Sequence, residues 1–196
     1  MSQHQASGGS VQLLTLTTPH TRFDKLEDLM AKQAEAVQSF LRDKTVKKVF
    51  AEMGYIGQVR ALEVTHGRKG TNNGWHPHFH FLQFVEFAPH PMQLDDWKLR
   101  LFVRWASCCK KAGLSAPTMQ HGLDIRDGSY AEKYVSKWGL EDEMTKAHIK
   151  KGRAGGETPF DLLRSCLVDA EDRQAAFLFK EFAANFKGKR LRSIEP

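Results

Sequence analysis

The sequence predicts an α+β protein, a central antiparallel β-sheet with helices packed on it. Three observations point there. Runs rich in β-branched and aromatic residues recur at positions 11–18, 55–66 and 76–87. The second and third flank GRKGTNNG, positions 67–74, a loop dense in turn formers that makes the two runs a hairpin. Segments with apolar residues at three- and four-residue spacing lie between the strands, the pattern of helices that cover one face of a sheet.

The elements follow in order. Residues 11–18 (VQLLTLTT) form a strand that stops at Pro19. Residues 24–43 form an amphipathic helix whose apolar stripe is Leu26, Leu29, Met30, Ala34, Val37, Phe40 and Leu41, with Asp24 as N-cap. Residues 45–53 form a short further helix. The hairpin follows. Residues 94–112 are helical by period, with Leu94, Trp97, Leu101, Trp105, Cys108 and Ala112 on one core face. Residues 118–125 form another strand. Ser129 caps a helix over 130–138, with Glu132 completing a capping box. Residues 159–168 and 170–186 form two closing helices. The resulting βαββαβ order is that of the ferredoxin-like split fold.

One domain is expected over residues 11–187. Residues 1–10 are polar, lack the apolar run of a secretory signal and are expected to be a flexible leader. Residues 188–196 are expected to be a basic tail. The chain has 196 residues and no apolar run near the ~18 residues of a membrane span. Three cysteines, two of them the adjacent Cys108 and Cys109, make no disulfide framework and suit a reducing cytoplasm. Lys and Arg number 29 against 23 Asp and Glu, and the net charge of +6 suits a polyanionic partner.

The strongest chemical signal is His76-Pro77-His78-Phe79-His80. Alternate residues of a strand share a face, so the three imidazoles point one way and Phe79 the other. Imidazoles two apart on a strand can share a divalent metal. Glu63 lies in an otherwise apolar stretch, where an unpaired carboxylate is costly. A hairpin symmetric about its loop sets Glu63 opposite His78 and His66 opposite Trp75, with Cβ atoms ~5 Å apart. A one-residue slip would turn Glu63 to the wrong face. Two imidazoles and a carboxylate with open positions suit Mg2+, Mn2+ or another first-row ion. The blander alternatives are a His-rich exposed strand and a salt bridge from Glu63 to Arg60 or Lys69.

The second signal is YAEKYVSK, residues 130–137. Two of the chain's three tyrosines, Tyr130 and Tyr134, sit one helical turn apart on one face, with Lys133 and Lys137 at the same spacing beside them. A phenol with a pKa near ~10 is a poor nucleophile at neutral pH, and neighbouring cations favour the phenolate. Two tyrosines packing on a core face is the alternative.

Together these segments resemble the rolling-circle replication initiators of the HUH endonuclease superfamily. LLTLTT with Pro19 is similar to the family's first motif strand. Glu63-Val64-Thr65 with Gly74-Trp75-His76-Pro77-His78-Phe79-His80 is similar to the second motif of plasmid initiators, and residues 130–137 to the catalytic helix. Residues 158–163 (TPFDLL) resemble a downstream stretch of plasmid and transposon initiators. The likeness spans roughly positions 11 to 189. It implies an antiparallel sheet carrying the metal ligands, crossed by the tyrosine helix. It implies that a tyrosine attacks a phosphodiester of single-stranded DNA, giving a 5′-phosphotyrosine and a free 3′-OH primer. By match to the motifs, Tyr134 is the nucleophile and Tyr130 the second tyrosine, as in phage-type initiators. His78 and His80 bind the metal, with Glu63 third. Lys137 or Lys133 assists the phenol or contacts the phosphate, and His76 supports the metal site or contacts DNA.

Lys150, Lys151 and Arg153 are candidate phosphate contacts, with a solvated loop as the alternative. Trp75 is a candidate for stacking on a base, with the core as the alternative. The implied partners are an origin strand, in hairpin form, and a host helicase and DNA polymerase, in a bacterial or phage-infected cell. The competing readings are a transposase or relaxase nuclease domain of the same superfamily, a metal-dependent nuclease without a covalent intermediate, and a non-enzymatic module of the RNA-recognition type.

Overall fold

A computed structural model describes residues 2–127, 156–188 and 192–195. Its sheet is built from β1 (Ser10–Thr17), β2 (Tyr55–His66), β3 (Trp75–Val85), β4 (Leu123–Arg126) and β5 (Arg192–Glu195). The helices are α1 (Ser2–Ala6), α2 (Leu26–Arg42), α3 (Lys44–Glu52), α4 (Pro91–Lys111), α5 (Pro159–Val168) and α6 (Arg173–Phe186).

The strand order is β4-β1-β3-β2-β5, and every pairing is antiparallel. The chain leaves β1 through α2 and α3 and returns as β2, with β3 inserted between the two. It leaves β3 through α4 and returns as β4 on the far side of β1. That is the split βαββαβ arrangement, extended by one strand. The expected α+β class with an antiparallel sheet is the observed one.

The two faces of the sheet differ as the period of two requires. One face carries Leu14, Leu16, Trp75, Phe79, Phe81, Leu123 and Ile125, all buried against the helical layer. Phe40 of α2 meets Trp105 of α4 edge to face at 5.8 Å. The Trp105 indole N–H donates to the Thr17 carbonyl at 3.0 Å and so ties α4 to the end of β1. Three buried glutamines, Gln12, Gln83 and Gln58, face one another across β1, β3 and β2. They are linked through Gln12 Nε2 to Gln83 Oε1 (3.1 Å) and Gln83 Nε2 to Gln58 Oε1 (3.3 Å). Gln33 of α2 donates to Thr18 Oγ1 (2.6 Å) and to the Pro77 carbonyl (2.8 Å), which fixes that helix over the ends of β1 and β3. The opposite face holds a smaller apolar cluster of Val11, Leu13 and Leu82, followed along β3 by His80, His78 and His76.

Several boundaries differ from the sequence expectation. The N-cap of α2 is Lys25, without a side-chain cap. Asp24 instead holds a turn, accepting from the Thr21 N–H (2.6 Å) and hydroxyl (2.9 Å). Helix α4 begins at Pro91, because His90 and Gln93 form a capping box around that N-terminal proline. Position 118 is irregular and 119–122 are turn and bend, so only Leu123–Arg126 pairs with β1. Ser2–Ala6 forms a short helix, whose His4 Nε2 lies 3.0 Å from the carbonyls of both Ser10 and Val85. In the C-terminal segment, Arg192–Glu195 pairs with β2. The helix expected over 130–138 lies outside the described residues.

The C-terminal helices are clamped to the tip of the β2–β3 hairpin. His66 and Glu157 exchange two backbone hydrogen bonds of 2.8 Å. Arg68 then bridges Glu157 (Nε to Oε2, 2.6 Å) and Asp172 (Nη1 to Oδ1, 2.7 Å), the residue that caps α6. These bonds hold the Arg68 guanidinium firmly protonated and the Asp172 carboxyl below its ordinary range.

Candidate metal centre

The hairpin register is the symmetric one: Glu63 opposite His78, Ala61 opposite His80, Thr65 opposite His76 and His66 opposite Trp75. Glu63, His78 and His80 therefore share the sheet face away from the helical core. Their ligand atoms all lie within 4.8 Å of one another, the one such cluster of three or more among the described residues. Glu63 Oε2 is 3.2 Å from His80 Nε2 and 3.5 Å from His78 Nε2. The two rings meet edge to face at 4.7 Å.

The δ nitrogens face away from the carboxylate. His80 Nδ1 is 3.0 Å from Thr15 Oγ1, and His78 Nδ1 is 3.4 Å from the His76 carbonyl. A proton on each δ nitrogen leaves two ε lone pairs directed at an anionic carboxylate. That arrangement is repulsive unless a cation or a proton lies between them. Burial sharpens the requirement, since the His80 side chain is only 8% exposed and Glu63 27%. The donor set therefore fits a divalent cation with open coordination positions.

His76 extends the row. Its ring lies 5.0 Å from that of His78 and stacks on His20 at 4.5 Å, with 19° between the planes. Burial, then the neighbouring His78 and His20, push the His76 pKa down to about 3, so this ring is neutral at physiological pH. Burial likewise lowers His20. The Nε2 atoms of His20 and His76 are both buried without a hydrogen-bond partner among the described residues. Sequence reasoning missed His20. It follows Pro19 in the turn after β1, and only the fold brings that turn to the histidine strand.

Trp75 does not offer a stacking surface. It is 2% exposed, meets His66 edge-on at 4.8 Å, and donates its indole N–H to Glu181 Oε2 of α6 at 2.9 Å. It belongs to the core and helps hold α6 on the hairpin. Tyr130, Tyr134, Lys133, Lys137, Lys150, Lys151 and Arg153 lie outside the described residues.

The split βαββαβ sheet thus carries a Glu/His/His cluster on its open face, and the part of the chain that holds the cluster is similar to replication proteins. Residues 1–93, which include β1, Glu63 and the histidine strand, match the family described as Replication protein. The chain is 26% identical to Protein rep of Streptomyces lividans over 210 residues, covering 80% of this chain and 45% of that protein. It is 34% identical over 132 residues to a Streptomyces cyanogenus protein named Neomycin resistance protein, covering 47% of this chain and 30% of that one. The chain thus spans less than half the length of these curated relatives. Among the described residues no helix is long and apolar enough to cross a membrane.

Proposed function

We propose that the chain is a rolling-circle replication initiator that cuts and rejoins single-stranded DNA at an origin. The observation that carries this is the convergence of Glu63, His78 and His80 on one sheet face, inside the segment that matches replication proteins. Mg2+ or Mn2+ held by those three side chains would polarise the scissile phosphate as a Lewis acid.

The chain's own residues supply the rest. The Tyr134 phenolate oxygen attacks phosphorus, with Tyr130 as the second nucleophile for a later strand transfer. The bond from phosphorus to the 3′ oxygen breaks, that oxygen takes up a proton, and a 5′-phosphotyrosine and a free 3′-OH result. Attack by a 3′-OH on the phosphotyrosine reverses the step and needs no ATP. Lys137 and Lys133 favour the phenolate by their charge. Lys150, Lys151 and Arg153 hold backbone phosphates. A 3′-OH is a primer, so a helicase and a DNA polymerase of a bacterial host are the partners this reaction requires. The origin strand would be presented as a hairpin, in the cytoplasm.

The test is an SDS-resistant adduct. The protein is mixed with a labelled random single-stranded library, with and without Mn2+, then denatured. A metal-dependent labelled band that maps to Tyr134 or Tyr130 by peptide mass, and is lost in His78→Ala, is the expected result. Cleavage without an adduct would replace this reading with a metal-dependent hydrolase. Strand enrichment with neither product would leave a DNA-binding protein.

A further inference from the structure

Phe23 is 80% exposed, although its turn is tightly held. Asp24 accepts from the backbone and hydroxyl of Thr21, and the Asp24 N–H returns to the Thr21 carbonyl at 3.2 Å. The turn also lies directly on the start of β3. Gly74 has φ +82°, and a Cβ there would come within 2.7 Å of the Thr21 carbonyl oxygen and 2.8 Å of Arg22 Cα. The Arg22 guanidinium sits over the Phe23 ring, 4.7 Å from its centroid. An aromatic ring shown to solvent on a preorganised turn, with a guanidinium on its face, is the equipment of a stacking platform.

Beside it opens a cavity of about 270 Å³ lined by His20, Phe23, Lys25, Asp28, Lys32 and Leu114, among others. That is just under the ~300 Å³ at which pockets for drug-sized ligands begin, so it suits a single ring system. Its walls mix two ammonium groups (Lys25, Lys32), two carboxylates (Asp24, Asp28) and apolar surface, and with Arg22 on the Phe23 ring the cations outnumber the carboxylates, which suits a flat heteroaromatic ring on an anionic backbone. One wall is His20, which stacks on His76, itself the neighbour of His78. The pocket is therefore joined to the metal cluster through two successive imidazole contacts.

We propose that this pocket is a nucleobase subsite. Phe23 stacks on one base of the single strand beside the phosphate to be cut, while Arg22, Lys25 and Lys32 neutralise the adjoining backbone. The inference rests on the proposed single-stranded DNA substrate and adds where the strand is gripped.

The experiment uses the full chain and an oligothymidylate that carries one central 5-iododeoxyuridine, which cross-links on irradiation to an aromatic ring stacked on it. The expected cross-linked peptide contains Phe23. By fluorescence anisotropy Phe23→Ala should bind the same strand about 5- to 100-fold more weakly, the span expected for one lost stacking contact, and Phe23→Tyr should restore binding. An unchanged thermal midpoint in Phe23→Ala would separate lost stacking from lost folding. Cross-links only at other residues, with wild-type affinity in Phe23→Ala, would overturn the subsite even where the metal-dependent adduct forms. A Phe23 cross-link without any adduct would support the subsite while the nicking chemistry falls.

Discussion

Glu63 and His78 are direct cross-strand partners, and the Glu63 carboxylate reaches the Nε2 atoms of both His78 and His80, at 3.5 and 3.2 Å. A β-sheet holds such a trio more rigidly than a loop would, because all three backbones sit in paired strands. A further orienting contact comes from Thr15 of β1, at 3.0 Å from His80 Nδ1. Thr15→Val removes that contact with little change in volume. It should weaken Mn2+ binding about 10- to 100-fold by isothermal titration calorimetry, the range for contacts that orient a metal-binding histidine. Glu63→Gln, which removes the carboxylate charge, should weaken binding further. Unaltered Mn2+ affinity in both variants would remove the metal from this site.

Trp75 is a structural residue in this fold. Trp75→Phe loses the hydrogen bond to Glu181 and part of a buried ring. The expected cost is about 1–3 kcal/mol in urea unfolding, with affinity for single-stranded DNA unchanged. A variant of native stability that binds DNA poorly would return Trp75 to the nucleic-acid surface.

Gly74 sets the distance between the Thr21–Asp24 turn and β3. Gly74→Ala places a side chain on a positive-φ residue and drives a Cβ into the backbone of Thr21 and Arg22. A loss of about 1–3 kcal/mol in chemical denaturation is expected. Denaturation midpoints equal to wild type would show that the turn can move away freely.

Asp172 gives the clamp its pH dependence. The hydrogen bond from Arg68 holds its carboxyl below the ordinary carboxylate range. The unfolded chain therefore takes up this proton first as pH falls. The stabilisation is complete above about pH 5 and is lost as pH drops through the folded-state pKa. Asp172→Asn should flatten the acid limb of a stability-versus-pH curve relative to wild type and leave the neutral plateau without slope. Parallel acid limbs would show that the Arg68 pair contributes nothing to acid sensitivity.

Much of the fold was legible because its signals are local. The hairpin is written in the turn formers of residues 67–74 and in the alternation on either side, and a symmetric turn sets Glu63 against His78, as the register shows. The apolar stripes of α2 and α4 announced most of their buried faces, although Ala34 of the expected α2 stripe is exposed and Gln33 and Ala36 are buried there instead. Two of the misjudged boundaries were places where a neighbour competed for the same group. Asp24 looked like a helix cap but is occupied by Thr21, and Pro91 starts α4 earlier because His90 and Gln93 close a capping box there.

The sequence by itself therefore determined the strand faces and, for a symmetric hairpin, the meeting of Glu63, His78 and His80, since each depends on residues close along the chain and on a period of two. The tertiary structure alone decided what Trp75 and His20 do. Trp75 was ambiguous until α6 brought Glu181 to its indole, 106 residues away. His20 carried no signal until the turn after β1 folded across Gly74 onto the histidine strand. Contacts of this kind arise from packing between distant segments, and no spacing rule along the chain encodes them.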